Sequence, residues 1–260
     1  MEKKKTKRLI DDLELQSSMG VDTFVEKKAV NRFNRMNYDI ETKNSNPGSE
    51  IPKPPPIKQQ ENFISSEDIL KKCSNLSDLC ESLKKFNGSN LKKTASQIVF
   101  SDGNPKAKIM LIGEAPGADE DRLGKPFVGV SGQLLDKMLD SINLNREKAY
   151  LTNIVPWRPP GNRTPTDYEL ALFKPFLLKH IELVNPKIIV AVGGSAAKAL
   201  LNINDGILRH RGIWKKLVIN EKLIIDIIAT LHPAYLLRSP SQKKLAWADL
   251  KQIRDKLKEL

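Results

Sequence analysis

The run Lys108-Ile109-Met110-Leu111-Ile112, closed by Gly113-Glu114-Ala115-Pro116-Gly117, decides the fold. A short apolar stretch ending on a glycine- and proline-rich turn is the pattern of a parallel strand buried on both faces. Residues 149–154, 187–192 and 223–229 repeat it. Helical spacing fills residues 132–141, 166–184 and 195–201, and a last amphipathic helix starts at Ser241. This alternation predicts an α/β fold, a three-layer α/β/α sandwich around a central four-stranded parallel sheet. Its connections are right-handed, so functional residues are expected outside the carboxyl ends of the strands. No repeat of 20–50 residues is present, which excludes solenoids.

A Leu/Ile-spaced helix is expected from Ser65 to Phe86, and residues 65–260 form the main structured domain. Residues 41–64 hold the Pro-rich stretch Ile51-Pro52-Lys53-Pro54-Pro55-Pro56, which reads as a flexible linker. Residues 1–40 read as a helical and basic extension whose Lys3-to-Arg8 run is a solvated tail or a phosphate contact. The 260 residues, 40% hydrophobic, suffice for one ordinary core plus such extra segments.

Lys and Arg number 43 against 31 Asp and Glu, a net charge of +12, which suits a polyanionic partner. Only Cys73 and Cys80 are present, at a spacing that fits no standard zinc or iron–sulfur pattern, and they read as small buried hydrophobes. A reduced, cytoplasmic setting follows, and no apolar run reaches the roughly 20 residues of a membrane helix.

Each strand is followed by a distinctive loop. After the first come Gly113 to Gly117, the acidic triplet Asp119-Glu120-Asp121, Pro126-Phe127-Val128-Gly129 and Ser131-Gly132-Gln133. The glycines let backbone approach a ligand, and Phe127 offers a rigid aromatic face beside it, although a plain strand-to-helix turn has the same composition. After the second come Asn153 and the loop from Arg158 through Arg163 to Thr166. The Asn153 amide offers an acceptor and a donor, a pairing that matches N3–H and O4 of uracil and opposes cytosine; capping its own loop is the alternative. After the third, Gly193-Gly194-Ser195 opens a helix whose N–H groups suit a phosphate or serve simply as a cap. After the fourth comes His232-Pro233-Ala234-Tyr235-Leu236-Leu237-Arg238, and among the three histidines only His232 directly follows a strand end.

Taken together, residues 113–117, 126–129, 152–153, 158–166 and 232–238 resemble the family 4 uracil-DNA glycosylases, the bacterial and archaeal branch of the uracil-DNA glycosylase superfamily. The resemblance covers residues 85–258 and implies a monofunctional hydrolase of base-excision repair that flips uracil out of DNA and leaves an abasic site. By the same resemblance Phe127 stacks on uracil, Asn153 reads its edge, Ala115 and Gly117 line the pocket, and His232 donates to O2 as the glycosidic bond breaks. Donors aimed at the departing uracil stabilise the transition state more than the ground state. Glu114 is the carboxylate expected to position water or face the sugar cation, with Glu120 second; in the best-known branch an Asp stands where Ala115 is here. Gly194, Ser195, Arg158 and Arg163 are expected at the DNA backbone, and Leu236, Leu237 or Arg238 as the wedge that replaces the flipped base.

The chain departs from the family pattern at the four cysteines that hold a [4Fe-4S] cluster, whose places fall on Phe86, Ser89, Trp157 and Phe173. No thiolate is available there, so a protein without the cluster or any other metal is expected. The basic insertion of covalent uracil-trapping relatives is also missing. The implied partner is uracil-containing DNA, single- or double-stranded, met by a monomer expected in the bacterial cytoplasm. A DNA-binding adaptor of the same fold that lost activity with its cluster is the competing reading.

Overall fold

A computed structural model describes residues 70–203 and 205–260. The expected N-terminal extension, its basic run and the Pro-rich linker lie outside the described residues.

The first described helices are α1 (Leu76–Lys85) and the short α2 (Leu91–Thr94). The continuous helix expected from Ser65 to Phe86 is interrupted before α1. The Asn75 side chain caps α1 by accepting from the Asp78 amide at 2.9 Å, and such a cap starts a helix rather than continuing one.

A short strand β1 (Asp102–Gly103) precedes β2 (Ile109–Gly113), then α3 (Ala118–Leu123), α4 (Val130–Asp140) and β3 (Ala149–Asn153). Helix α5 (Asp167–Val184) follows, then β4 (Ile188–Val192), α6 (Gly194–Leu201), β5 (Trp214–Asn220), β6 (Leu223–Thr230), α7 (Pro233–Arg238) and α8 (Lys243–Lys258). The sheet order is β1-β3-β2-β4-β6-β5.

The four expected parallel strands are its centre, β3-β2-β4-β6, with Ile112 opposite Thr152 and Ala191, and Val192 opposite Thr230. The sheet is nevertheless six-stranded, because β1 runs antiparallel to β3 and β5 antiparallel to β6. Strand β5 escaped the sequence reading because it is an edge strand. Its Lys216, Val218 and Asn220 are exposed on one face while Leu217 is buried on the other, so it lacks the continuous apolar run of β2 and β4.

Alternate strand residues feed the two outer layers. Met110, Ile112, Ile189, Ala191, Ile227 and Ala229 pack with α1, α5 and α6 through Leu79, Phe173, Ile181 and Ala196. Ile109, Leu111, Ile188, Val190 and Ile228 pack the opposite way with Leu135 and Leu139 of α4 and Leu250 and Ile253 of α8. This is the three-layer sandwich, and its loops at the carboxyl ends of β2, β3, β4 and β6 share one end of the sheet. Among the described residues no helix is long and apolar enough to cross a membrane.

Candidate active site

A cleft of about 520 Å³ opens at that end. Its walls include Glu114, Ala115, Gly117, Phe127, Asn153 and His232, so the β2, β3 and β6 loops meet in one place as the sequence predicted.

Parallel pairing puts Gly113 opposite Asn153 and persists past the strands, with the Ile154 amide donating to Gly113 O at 3.0 Å and Val155 to Glu114 O at 3.1 Å. Glu114 therefore stands beside Asn153. A side chain at position 113 would collide with Asn153 Oδ1 and come within 2.5 Å of Phe127 Cζ, so glycine is required for the stacking and reading groups to sit side by side. Asn153 itself is 6% exposed.

Phe127 occupies the left-handed region, φ 56°, at a cost of about 1–2 kcal/mol for a residue with a side chain. The surroundings enforce it. Behind it, Gly132 leaves no room for a Cβ against the Phe127 backbone. The following amides, Val128 and Gly129, donate to Glu120 Oε1 at 3.0 and 2.9 Å. Glu120 Oε2 accepts from the Gly117 amide at 3.1 Å. Glu120, the second carboxylate candidate, also lines the cleft, and with three backbone amides on its two oxygens it clamps the loop that carries Phe127. The acidic triplet lies within α3, where Asp121 also faces inward and accepts from the Ser96 amide and hydroxyl, each at 2.9 Å.

By contrast, the Glu114 carboxylate lines the cleft with no side-chain hydrogen bond or ion pair among the described residues.

His232 caps α7, its Nδ1 accepting from the Ala234 amide at 3.1 Å. That bond puts the ring proton on Nε2, the only N–H left to donate. Burial, reinforced by the charge of Arg238 and opposed by Glu120, pushes the imidazole down to about 4, so it is neutral at pH 7. Its ring centroid is 6.2 Å from that of Phe127. Gly193, with φ 98°, would bring a Cβ within 2.9 Å of His232 Cβ, so the β4 loop presses against the histidine from behind.

The expected DNA contacts divide. Arg238 is exposed at the cleft edge beside Tyr235, and Leu237 is 42% exposed. Leu236 is 1% exposed within the core under α4 and α8, so as a wedge or DNA contact it is corrected: a side chain anchoring α7 is not free to enter DNA. Gly194 and Ser195 lie at the start of α6, off the cleft lining. Arg158 donates to Asn162 Oδ1 at 2.6 Å. Arg163 lines the cleft but forks onto Glu169 at 2.8 and 2.7 Å, holding that carboxyl down at about 2 and supporting the Thr166–Glu169 capping box of α5. Ser131 and Asn162, which the sequence reading placed in these loops without a role, also line the cleft.

Phe86, Trp157 and Phe173, the positions that the resemblance assigned to cluster ligands, form a packed aromatic group. Phe173 meets Phe86 at 6.2 Å and Trp157 at 5.6 Å between ring centroids, and Phe86 meets Phe176 at 4.9 Å. The Phe86 ring lies so close to Gly88 that a Cβ there would overlap it. Ser89 spends its hydroxyl accepting from the Leu91 amide at 3.2 Å. These residues do not fit a [4Fe-4S] cluster, since they offer neither thiolates nor space. Cys73 Sγ lies 3.3 Å from Ser82 Oγ inside the core.

Residues 100–251 match the family model described as the uracil DNA glycosylase superfamily. The chain belongs to that superfamily. It is 38% identical to the type-4 uracil-DNA glycosylase of Archaeoglobus fulgidus over 183 residues, 68% of this chain and 91% of that protein. It is 36% identical to the type-4 enzyme of Thermotoga maritima over 182 residues, 69% of this chain and 93% of that protein. It is 29% identical over 171 residues to a DNA polymerase of Bacillus phage SP01, 65% of this chain but only 17% of that protein.

Proposed function

We propose that this chain is a monofunctional uracil-DNA glycosylase of DNA repair, which flips uracil out of single- or double-stranded DNA and hydrolyses its N-glycosidic bond. The observation that carries the reading is the convergence of Phe127, Asn153, His232 and Glu114 on one cleft. Phe127 stacks on the flipped base, and Asn153 accepts from N3–H and donates to O4, an arrangement that cytosine would oppose. As C1′–N1 breaks, the electron pair leaves on uracil, and the neutral Nε2–H of His232 donates to O2 where that charge collects. Glu114, whose carboxylate makes no side-chain hydrogen bond or ion pair among the described residues, faces the sugar cation and orients the water that adds to C1′; the water's second proton passes to solvent. Arg158, Gly194, Ser195 and Arg238 contact the DNA backbone, and Leu237 or Arg238 fills the gap left by the base. The chain acts as a monomer in a bacterial cytoplasm.

We also propose that it works without an iron–sulfur cluster, with Phe86, Trp157 and Phe173 packing that region in its place. Stoichiometric iron with broad absorbance near ~400 nm in the purified protein would refute this.

The function is tested on labelled uracil-containing DNA, cleaved with alkali after incubation with wild type, Asn153→Ala and His232→Ala. Wild type should produce strand breaks and both variants should lose them. Cleavage retained by both refutes the site, and no cleavage by wild type on uracil or hypoxanthine DNA favours a DNA-binding protein of this fold.

A further inference from the structure

Arg146 lies in the loop before β3, 19 residues from Phe127 in sequence, and its side chain is 24% exposed. All five of its N–H groups are used. Nε donates to Asp136 Oδ1 at 3.0 Å and Nη2 to Asp136 Oδ2 at 3.2 Å. Nη1 donates to Asp102 Oδ2 at 2.6 Å. The remaining two reach the loop that carries the stacking aromatic: Nη1 donates to Pro126 O at 3.1 Å, and Nη2 to Phe127 O.

The two carboxylates fix the plane of the guanidinium, and the guanidinium fixes two consecutive carbonyls. The second of these belongs to the residue held in the left-handed region. On the other side of the same turn, Glu120 holds the amides of Val128 and Gly129. The peptide units around Phe127 are therefore gripped from both directions, and only the carbonyl grip involves a side chain remote from the cleft. Lysine cannot reproduce it, since one ammonium lacks the planar fork that spans two carbonyls and two carboxylates.

We infer that Arg146, oriented by Asp136 and Asp102, is a positioning residue for base stacking: it locks the Phe127 backbone so that the ring stands ready for the flipped base. The inference rests on the proposed excision of a stacked uracil. Arg146 does not line the cleft, so it acts through Phe127 and not on the DNA.

The test is a double-mutant cycle between Arg146 and Phe127 in single-turnover excision of uracil from DNA, with DNA affinity measured alongside. Arg146→Ala should slow excision by up to about 100-fold, the penalty of a misplacement near 1 Å, while changing affinity for DNA less than about threefold. In a Phe127→Ala background the same change should cost almost nothing further. Arg146→Lys should recover only part of the rate. Asp136→Asn, at a half-exposed side chain that unfolding should not follow, should slow excision several-fold and likewise be silent without Phe127.

Equal losses in both backgrounds, or full activity in folded Arg146→Ala, would overturn the inference. Hydrogen exchange of residues 125–131 supplies a readout that needs no activity: it should quicken in Arg146→Ala and Asp136→Asn, and unchanged exchange there also overturns it. A wild type that releases no uracil defeats the proposed function instead, and exchange then decides the role of Arg146 alone.

Discussion

Replacing His232 with alanine separates two ways a histidine can help uracil leave. A general acid with the ordinary imidazole value near 6.5 would donate a proton and lose its effect about tenfold per pH unit above that value. The geometry of His232 demands otherwise. Burial pushes its folded value down to about 4, and Nδ1 is already an acceptor for the Ala234 amide, so over the working range the ring is a neutral donor through Nε2. Losing one such donor to developing negative charge costs about 2.7–4 kcal/mol, or 100- to 1000-fold in rate. Since the donor has nothing to titrate, the ratio of wild-type to His232→Ala rates should be the same at about pH 5.5, 7 and 8.5 in single-turnover excision. Both rates are read on the same uracil-containing duplex, so any titration of substrate cancels. A ratio that collapses tenfold or more between the acid and alkaline ends would refute the neutral-donor argument.

Gly113→Ala puts a methyl group into the space shared by Asn153 Oδ1 and Phe127 Cζ; excision should fall on the order of 100-fold with a stability loss of about 1–3 kcal/mol, checked by the same assay and by thermal melting. Asp249 is fully buried and accepts from Arg211 Nε at 2.9 Å, Arg211 Nη2 and Thr230 Oγ1 at 2.8 Å, so Asp249→Ala strands the guanidinium and should cost about 3–5 kcal/mol in urea unfolding, with Asp249→Asn milder. His180 is buried between Phe100 and Tyr150, and burial pushes it down to about 3; the unfolded chain then binds a proton near 6.5 that the native state refuses, so stability rises with pH up to about 6.5 and is lost below it. His180→Gln should lessen the fall of the urea midpoint between about pH 7 and pH 5, leaving the share due to His232, and an unchanged slope would refute the assignment.

The parts of this molecule that were legible in the sequence are those whose physics is local. Strands β2, β3 and β4 are buried at every position, so β2 and β4 are written as unbroken apolar runs beside a turn and β3 as an apolar start that ends in the buried polar pair Thr152-Asn153. Asn153 and His232 stood out because each ends or directly follows such a run, and the backbone of a parallel sheet carries strand ends to a common edge. What could not be read is what depends on the direction a side chain takes after folding. Glu120 and Asp121 have the composition of a solvated acidic loop, yet both turn inward onto backbone amides, and no periodicity in a six-residue helix distinguishes the two cases. Leu236 and Leu237 are adjacent and identical in type, but the turn of α7 buries the first and exposes the second. Arg146 is the extreme case, because its meaning lies in carbonyls that belong to a segment 19 residues away, and a carbonyl has no sequence. A catalytic motif therefore names the groups that touch the substrate, while the groups that hold the motif still become visible only when the chain is folded around them.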